Sequence, residues 1–305
     1  MEFSLFRKEE LPKVEKKMLE WLDKTQDTKG TLYQAMNYSL SAGGKRIRPL
    51  LVLAVIKSLG GEVEKGYDTA AALEYVHTYS LIHDDLPAMD NDELRRGKPT
   101  NHIVYGEAVA ILAGDALLTQ AFEIVGRSDI QLDQKVALTV ALAKAAGANG
   151  MVEGQIEDIE GESQSLSLEA LKQVHDKKTG ELIKFAVYAG SVLAEAPEHV
   201  QQQLIRFAEC FGLAFQIRDD ILDVIGDAKE LGKNTGQDEQ HSKSTYPNLL
   251  TLEGAKNALE KELDEASAIA SQIEKEYQPE NKHIDMSLLK DMVTLLRITD
   301  DQVKK

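Results

Sequence analysis

The sequence contains only 7 prolines, and none of them lies between Pro99 and Pro197. Proline interrupts the hydrogen-bond ladder of a helix, so a long proline-free stretch dominated by Ala, Leu, Glu, Lys and Gln favours helices. Alternating β-branched runs, which would indicate strands, are absent from the sequence. The chain is therefore predicted to be all-α, with helices over residues 11–24, 31–40, 49–59, 69–85, 108–126, 134–147, 168–193, 198–224 and 254–278.

Charge and size limit the functions that the chain can have. It carries 51 Asp and Glu residues against 35 Lys and Arg residues, a net charge of −16. Recognition of a phosphate backbone needs a positive field, so nucleic-acid binding is not expected. With 43% hydrophobic residues the chain is too apolar to be disordered. Its length favours one domain over residues 1–305, with two domains as the less favoured count.

The sequence favours a cytoplasmic protein without a membrane span. The longest apolar runs, such as residues 50–56, fall far short of the ~20 residues that cross a bilayer. The first residues are rich in charge and do not form the apolar core of a signal peptide. The one cysteine, Cys210, cannot form an internal disulfide, and its apolar neighbours favour a packing residue over a nucleophile.

The first of two acidic clusters lies where the predicted helix 69–85 ends. It reads DDLPAMDND at residues 84–92. The helix macrodipole disfavours carboxylates at a C-terminus by ~0.3–1 kcal/mol each, so a cation is expected to compensate them. Pro87 stops the helix, and a turn after it would bring Asp90 back toward Asp84 and Asp85. Three oxygen donors could then converge on one cation.

The second cluster, DDILD at residues 219–223, begins 135 residues after Asp84 and contains no proline. It is expected to stay helical, which places Asp219 and Asp223 on one face. A solvated acidic helix end is the commoner role of such a motif alone, but both clusters lie inside otherwise apolar helices. Because His83 is the only nearby histidine and no cysteine is close, the carboxylates favour magnesium over zinc. Magnesium binds through a few carboxylates and the phosphates of a substrate.

Basic residues accompany the acidic clusters. GGKRIRP at residues 43–49 places three cations behind a glycine pair and ahead of a proline that can open a helix. The glycines permit close backbone approach, helix N-termini favour anions, and arginine matches phosphate oxygens. RRGKP at 95–99, KKTG at 177–180 and GKNTGQD at 232–238 add further cations. Each of these is an ordinary basic loop when taken alone, but beside the aspartates they suit a metal-bridged diphosphate.

Taken together, the motifs resemble those of the trans-isoprenyl diphosphate synthases, above all the bacterial short-chain members that make farnesyl diphosphate. They occur in family order over almost the whole chain: GGKRIRP at 43–49, HTYSLIHDDLPAMDNDELRRGKPTNH at 77–102, GDALL at 114–118, GQIED at 154–158, KTG at 178–180, FQIRDDILD at 215–223, GKNTGQD at 232–238 and KSTYP at 243–247. Any one motif would be weak evidence, but coincidence does not explain so many in order. Asn91 is a departure, since close relatives often have an acid there.

The resemblance implies an isoprenoid synthase fold around a deep cavity, a homodimer, and condensation of isopentenyl diphosphate with dimethylallyl and geranyl diphosphates. Magnesium ions would be held by Asp84, Asp85, Asp90, Asp219, Asp220 and Asp223. The allylic diphosphate would be gripped by Arg95, Lys178 and Lys233. Isopentenyl diphosphate would be bound by Gly44, Lys45, Arg48, His77 and Arg96. The residues expected to carry the catalysis, with Thr179 and Gln216 stabilising the allylic cation, are Lys178, Thr179, Gln216 and Asp219.

Product length is expected to depend on the residues beneath Asp84. Ser80 lies one turn back on the same face, and Tyr79 beside it resembles the farnesyl-producing pattern, in which an aromatic ring stops the growing chain; ordinary core packing is the other role for Tyr79. A geranylgeranyl product and a non-catalytic subunit of a heteromeric synthase are the alternatives. A terpene cyclase is less favoured, because it needs no isopentenyl diphosphate site.

Overall fold

The computed structural model describes residues 2–25, 29–161, 165–225 and 244–298. In these ranges the helices are α1 Phe3–Thr25, α2 Thr31–Leu40, α3 Ile47–Ser58, α4 Tyr67–Asp84, α5 Asn101–Tyr105, α6 Glu107–Arg127, α7 Leu132–Ala146, α8 Met151–Gly161, α9 Leu168–His175, α10 Glu181–Leu193, α11 Glu198–Ile225, α12 Tyr246–Glu276 and α13 Ser287–Thr294. A 3₁₀ turn, Val63–Gly66, precedes α4, and a π-turn, Asp176–Gly180, joins α9 to α10. The prediction of an all-α fold is confirmed.

The two strands form one short antiparallel hairpin. β1 Leu94–Arg95 pairs with β2 Lys98–Pro99, with Leu94 opposite Pro99 and Arg95 opposite Lys98. Arg96 and Gly97 make the turn, and both have positive φ. The hairpin was not predicted, because two-residue strands carry no readable alternation of apolar and polar residues.

α3 and α4 lie deepest in the bundle. Residues 50–56 of α3 have no exposed surface, so the helix is apolar on all sides and packs against α4 and α10. α4 packs in turn against α6 and α1, and among the described residues the most extensive contact between two helices is that of α11 with α12. The buried apolar side chains form one contiguous cluster. The C-terminal ends of α4 and α11, which carry the aspartates, are thus positioned by a rigid core.

α6 has the length and apolar composition of a membrane-spanning helix, and 44% of its most apolar window is buried. Its most extensive contacts are with α4, and it also packs on α2, α5 and α7. A helix buried in the core of a bundle has the same composition as one that crosses a bilayer. The expectation that the chain has no membrane span stays a prediction.

The predicted start of the first helix is wrong. α1 begins at Phe3 and runs through Pro12, where the prediction began at residue 11. Phe3 and Phe6 are 4% and 2% exposed, and the Phe3 amide donates to Asp291 Oδ2 at 3.0 Å. The free energy gained by burying these two rings exceeds the cost of a proline inside the helix. This burial is a tertiary contact, so the local sequence pattern does not predict it.

Candidate active site

The first acidic cluster folds back on itself as the sequence predicts. α4 ends at Asp84, and Pro87 follows in a turn. The Asp90 amide donates to the Asp84 carbonyl at 2.9 Å, which returns Asp90 to the end of the helix. Asn91, beside it, has a φ of 53°, a left-handed conformation that asparagine tolerates better than most residues. The three predicted aspartates Asp84, Asp85 and Asp90 are therefore brought together at one end of α4.

These aspartates lie in an environment that opposes negative charge. Burial raises the pKa of Asp84 to about 6, with Lys178 acting against the shift and Asp90 adding to it. Asp85 is only 3% exposed, and burial raises the pKa of its carboxyl, while Arg95 opposes the rise by donating from Nε to Oδ1 at 2.6 Å. Buried like charges are stable only beside cations, and Arg95 and Lys178 supply part of that charge.

The second acidic cluster lies on the last turns of α11. The charge of Asp219 raises the pKa of Arg48 on α3, against a larger lowering by burial, so α11 and α3 face the same space. Asp223 is 6% exposed, and its Oδ1 has no hydrogen-bond partner among the described residues. An unpartnered buried carboxylate oxygen is costly unless a cation or water meets it.

Asp220 has different contacts from Asp219 and Asp223, the other two aspartates of the cluster. Its Oδ2 accepts a hydrogen bond from the Tyr246 amide at 2.9 Å and lies 3.4 Å from His175 Nε2. The His175 and Tyr246 rings stack, with centroids 6.0 Å apart. Asp220 therefore ties the start of α12 to α9 and α11, and contact with a metal stays a prediction for this residue.

Lys178 and Thr179 lie in the π-turn that interrupts the predicted helix 168–193. Gly154 of α8 has no room for a Cβ, which would collide with the backbone of Lys178, so α8 presses directly on the turn. Lys178 Nζ donates to Asp158 Oδ2 at 2.6 Å, and Thr179 is 7% exposed. π-turns inside helices are frequent at functional sites. The predicted ends, 168 and 193, match the start of α9 and the end of α10, and the π-turn lies where the KKTG motif interrupts the helix.

The π-turn also contacts α11 through glycine. A Cβ on Gly212 would lie 3.4 Å from the Gly180 Cα, so the two backbones approach closely at this point. Gln216 lies one helical turn after Gly212 and Thr179 directly precedes Gly180. Both are thus held near the crossing of the two elements, as the predicted cation-stabilising pair requires.

The GGKRIRP motif covers the end of the loop between α2 and α3 and the first residues of α3. Gly44 has a φ of 123°, and a Cβ at this position would lie 2.5 Å from the guanidinium carbon of Arg96, so a side chain here would displace that group. Lys45 Nζ lies 5.8 Å from the centre of the Phe215 ring on α11, and Arg48 Nη1 lies 3.4 Å from His77 Nε2 on α4. The predicted ligands of isopentenyl diphosphate, Gly44, Lys45, Arg48, His77 and Arg96, are therefore gathered around one loop.

His77 is a neutral histidine in this arrangement. Burial lowers its pKa well below the usual value, and the positive charges of Arg48, Arg96, Arg95 and Arg46 lower it further. A neutral imidazole can accept a hydrogen bond from Arg48 without adding repulsion.

Tyr79 and Ser80 lie one turn before the aspartates on α4. Tyr79 is 6% exposed and packs edge-on against His83, with ring centroids 5.6 Å apart. Burial, with a contribution from Asp84, raises the pKa of Tyr79 to about 12. Ser80 Oγ donates to the His77 carbonyl at 2.9 Å. The Tyr79 ring is thus fixed close to the first acidic cluster, and its role in product length stays a prediction.

Two further results complete the site. Lys233 and the GKNTGQD motif lie outside the described residues. Within the described residues, no three carboxylate, imidazole or thiolate groups are preassembled into a metal-binding cluster. The aspartates instead lie in two groups, one at the end of α4, where Lys178 acts on Asp84, and one on α11, where Asp219 acts on Arg48 of α3.

Comparisons with known proteins agree with this arrangement. A model of the polyprenyl synthetase family matches residues 29–280. The chain is 53% identical to the farnesyl diphosphate synthase of Geobacillus stearothermophilus, over 75% of this chain and 78% of that protein. It is 48% identical to the farnesyl diphosphate synthase of Bacillus subtilis, over 80% and 83% of the two chains. It is also 48% identical to the geranylgeranyl diphosphate synthase of Cyanophora paradoxa, over 77% and 79%.

A solved structure extends the likeness to the fold. The geranyltransferase of Helicobacter pylori, complexed with magnesium and isoprenyl diphosphate, superimposes with a TM-score of 0.81 at 33% identity, covering 96% of this chain and 95% of that chain. A bundle of helices with two aspartate clusters at helix ends is the isoprenoid synthase fold. The chain belongs to the polyprenyl synthetase family, and its class of activity is that of a prenyltransferase.

Proposed function

We propose that the chain is a farnesyl diphosphate synthase, which adds isopentenyl diphosphate head to tail to dimethylallyl diphosphate and then to geranyl diphosphate. The observation that carries this function is the meeting of half-buried aspartates with half-buried cations: Lys178 acts on Asp84, and Asp219 acts on Arg48. Such a site suits a substrate that carries several negative charges and a metal. The relatives named as farnesyl diphosphate synthases support the same reaction.

The aspartates fit magnesium by the nature of their donors. Asp223 Oδ1 is buried without a partner among the described residues, and Asp84, Asp85 and Asp90 are like charges held together. Asp84, Asp85, Asp90, Asp219 and Asp223 would hold the ions together with Asp220, whose Oδ2 also accepts from the Tyr246 amide. When bound, magnesium neutralises the diphosphate and stabilises the charge that develops on it as a leaving group.

The side chains then divide the reaction between them. Lys178 and Arg95 stabilise the negative charge on the allylic diphosphate as its C–O bond breaks and the bonding electrons pass to the diphosphate. Lys45, Arg48 and Arg96 hold the second diphosphate so that its alkene faces the allylic carbon. Thr179 and Gln216 direct oxygens at the cation.

The new C–C bond uses the alkene electrons, and the proton lost from the adjacent carbon passes to the departing diphosphate. Burial and the charge of Arg48 lower the pKa of His77, so its imidazole is a weak base. It is placed to bind Arg48, which holds the diphosphate, and not to accept this proton.

Product mass tests the proposed function. The purified chain is incubated with magnesium, isopentenyl diphosphate and dimethylallyl diphosphate, and a fifteen-carbon diphosphate is expected. Tyr79→Ala should lengthen the product because it removes the ring near the first acidic cluster, whereas Tyr79→Phe, which keeps the ring, should not. A twenty-carbon product from the unchanged chain would favour the geranylgeranyl alternative, and absence of condensation would favour a non-catalytic subunit.

We further propose a cytoplasmic homodimer of single-domain chains. Leu132, Val136 and Val140 are 76%, 58% and 63% exposed and lie at intervals of four residues along α7, so they form an apolar stripe. Leu112 of α6 is 58% exposed and lines a groove of about 700 Å³ between α2 and α6. Apolar surface of this extent is typical of a protein interface, and a second copy of the chain is the partner that the family relationship favours.

A further inference from the structure

A buried ion pair lies beside two predicted site residues, Lys45 in the loop between α2 and α3 and Arg48 in the first turn of α3. Arg46, between them in sequence, has a φ of 52°, a left-handed conformation that is rare for a large side chain. The Arg46 and Glu74 side chains are each 1% exposed, and Arg46 Nη1 donates to Glu74 Oε1 at 2.5 Å. Arg46 therefore enters the helix bundle, although its neighbours belong to the site.

Arg46 joins three helices at the point where the loop begins. Its Nη2 donates to the Leu40 carbonyl at the end of α2 at 2.5 Å, its Nε lies 3.6 Å from Glu15 Oε1 of α1, and Glu74 belongs to α4. A buried ion pair adds little net stability, because the cost of desolvation offsets much of the attraction. Removing one partner is nevertheless strongly destabilising, because the other charge is left buried and unpaired. These contacts determine where the backbone of the loop lies.

The outer side of the same loop is held by Arg96. Its Nη1 donates to the Gly43 carbonyl, and its guanidinium lies against Gly44. The backbone from Gly43 to the start of α3 is therefore clamped between Arg96, which the sequence assigns to the site, and Arg46, which it does not.

Glu74 also balances the charge of the arginines around the loop. Burial lowers the pKa of both Arg48 and Arg96, and in each case the Glu74 carboxylate is the largest charge that opposes the lowering. Arg46 and Arg95 add to the lowering for Arg96. Several guanidinium groups brought this close repel one another, so a fixed carboxylate behind them lets them be assembled before a diphosphate arrives.

We propose that Arg46 and Glu74 act as positioning residues for isopentenyl diphosphate: together they hold the loop so that Lys45 and Arg48 meet its diphosphate, although neither residue contacts it. This inference rests on the proposed function, because the loop is taken as the isopentenyl diphosphate site. The allylic diphosphate, which is assigned to Arg95 and Lys178, is not expected to depend on the pair.

The test compares the two substrates in variants of the pair. Isopentenyl diphosphate alone is titrated calorimetrically, without an allylic substrate, so that binding is measured apart from turnover. Arg46→Met and Glu74→Gln should each weaken this binding about tenfold or more, while the KM for geranyl diphosphate changes by less than about threefold. The double variant should bind no more weakly than Arg46→Met alone, because two residues that act through one contact are not additive.

Controls separate positioning from general damage. Glu10 is an 8% exposed carboxylate that accepts a hydrogen bond from the Tyr67 hydroxyl at 2.6 Å near the other end of α4, and Glu10→Gln should leave isopentenyl diphosphate binding unchanged. Arg46→Lys keeps the charge and should recover part of the binding; it also carries the test if Arg46→Met does not fold.

Three results are decisive. Folded variants with a lowered Tm but unchanged affinity for isopentenyl diphosphate would overturn the proposal, as would equal losses for both substrates. Failure of the unchanged chain to bind isopentenyl diphosphate would overturn the proposed function itself, before any substitution is made.

Discussion

Lys177 and Lys178 are neighbours in the π-turn, but of the two only Lys178 lies beside the aspartates of the site. Lys178 donates to Asp158 and acts on Asp84, whereas Lys177 pairs with Glu157 and is 32% exposed. Lys178→Ala should lower kcat/KM for geranyl diphosphate about a hundredfold or more, since it removes a cation from the leaving group. Steady-state kinetics with isopentenyl diphosphate held at saturation measure the effect.

Lys177→Ala supplies the matched control. It removes the same side chain from the adjacent position, and the loss of an exposed ion pair should change kcat/KM by less than about threefold. Similar losses in both variants would mean that the turn contributes through its fold and not through the Lys178 charge.

His77 provides a prediction about pH. Because its folded pKa is well below the unfolded value, the unfolded chain binds a proton below pH 6.5 that the folded chain does not. The free energy of unfolding should therefore fall as the pH drops below 6.5, by up to about 1.4 kcal/mol per pH unit for this residue. Denaturant titrations between pH 5 and 7.5 measure the slope.

His77→Asn should flatten that slope, and His199→Asn, at an exposed position, is the control for loss of an imidazole elsewhere. A slope that is the same in His77→Asn as in the unchanged chain would contradict a neutral His77 with a lowered pKa.

Helix contacts through glycine determine the geometry of the site. Gly154→Ala would push a methyl group into the backbone of Lys178, so we expect a loss of about 1–3 kcal/mol in the free energy of unfolding. A higher KM for the allylic substrate should accompany this loss, because the π-turn would move. Chemical denaturation and kinetics on the same preparation test both effects.

Gly126 is the matched position, since a Cβ there would meet nothing within 4 Å. Gly126→Ala, near the end of α6, should stabilise the chain by up to about 1 kcal/mol and leave the kinetics unchanged. The prediction fails if Gly154→Ala is as harmless as Gly126→Ala.

The helical elements could be predicted from the sequence wherever local chemistry determines them. α2 was predicted with its correct ends, and the return of Asp90 to Asp84 followed from Pro87. α12, by contrast, begins at Tyr246 with a Thr245 side chain capping Asn248, eight residues before the predicted start, and bends at Thr251. α5 and α13 were missed.

The site residues also divide into those that local motifs predict and those whose roles depend on distant contacts. Motifs indicated which cations and aspartates belong to the site, but the roles of Asp220 and Arg46 depend on partners far away in sequence, Tyr246 and Glu74. The π-turn likewise packs closely against Gly154 of α8, which is distant from it in sequence. Contacts between distant parts of the chain leave no periodic pattern in the local sequence, so these contacts could not be predicted from it.

The proposed homodimer can be tested through the exposed apolar surface. Leu112→Glu places a charge in the groove between α2 and α6 and should shift the chain from dimer to monomer in light scattering coupled to size-exclusion chromatography. Leu5→Glu, on α1 and 47% exposed, is the control for adding a surface charge outside the groove. A monomeric unchanged chain would rule out the homodimer.

Magnesium dependence of condensation tests the joint action of the two acidic clusters. The purified chain is incubated with isopentenyl and geranyl diphosphates, with magnesium or with a chelator, and the products are measured by mass. A fifteen-carbon diphosphate should form only with magnesium, and both Asp84→Asn and Asp219→Asn should lower its rate about a hundredfold or more. Condensation that persists without magnesium, or that survives either substitution, would contradict a single site shared by α4 and α11.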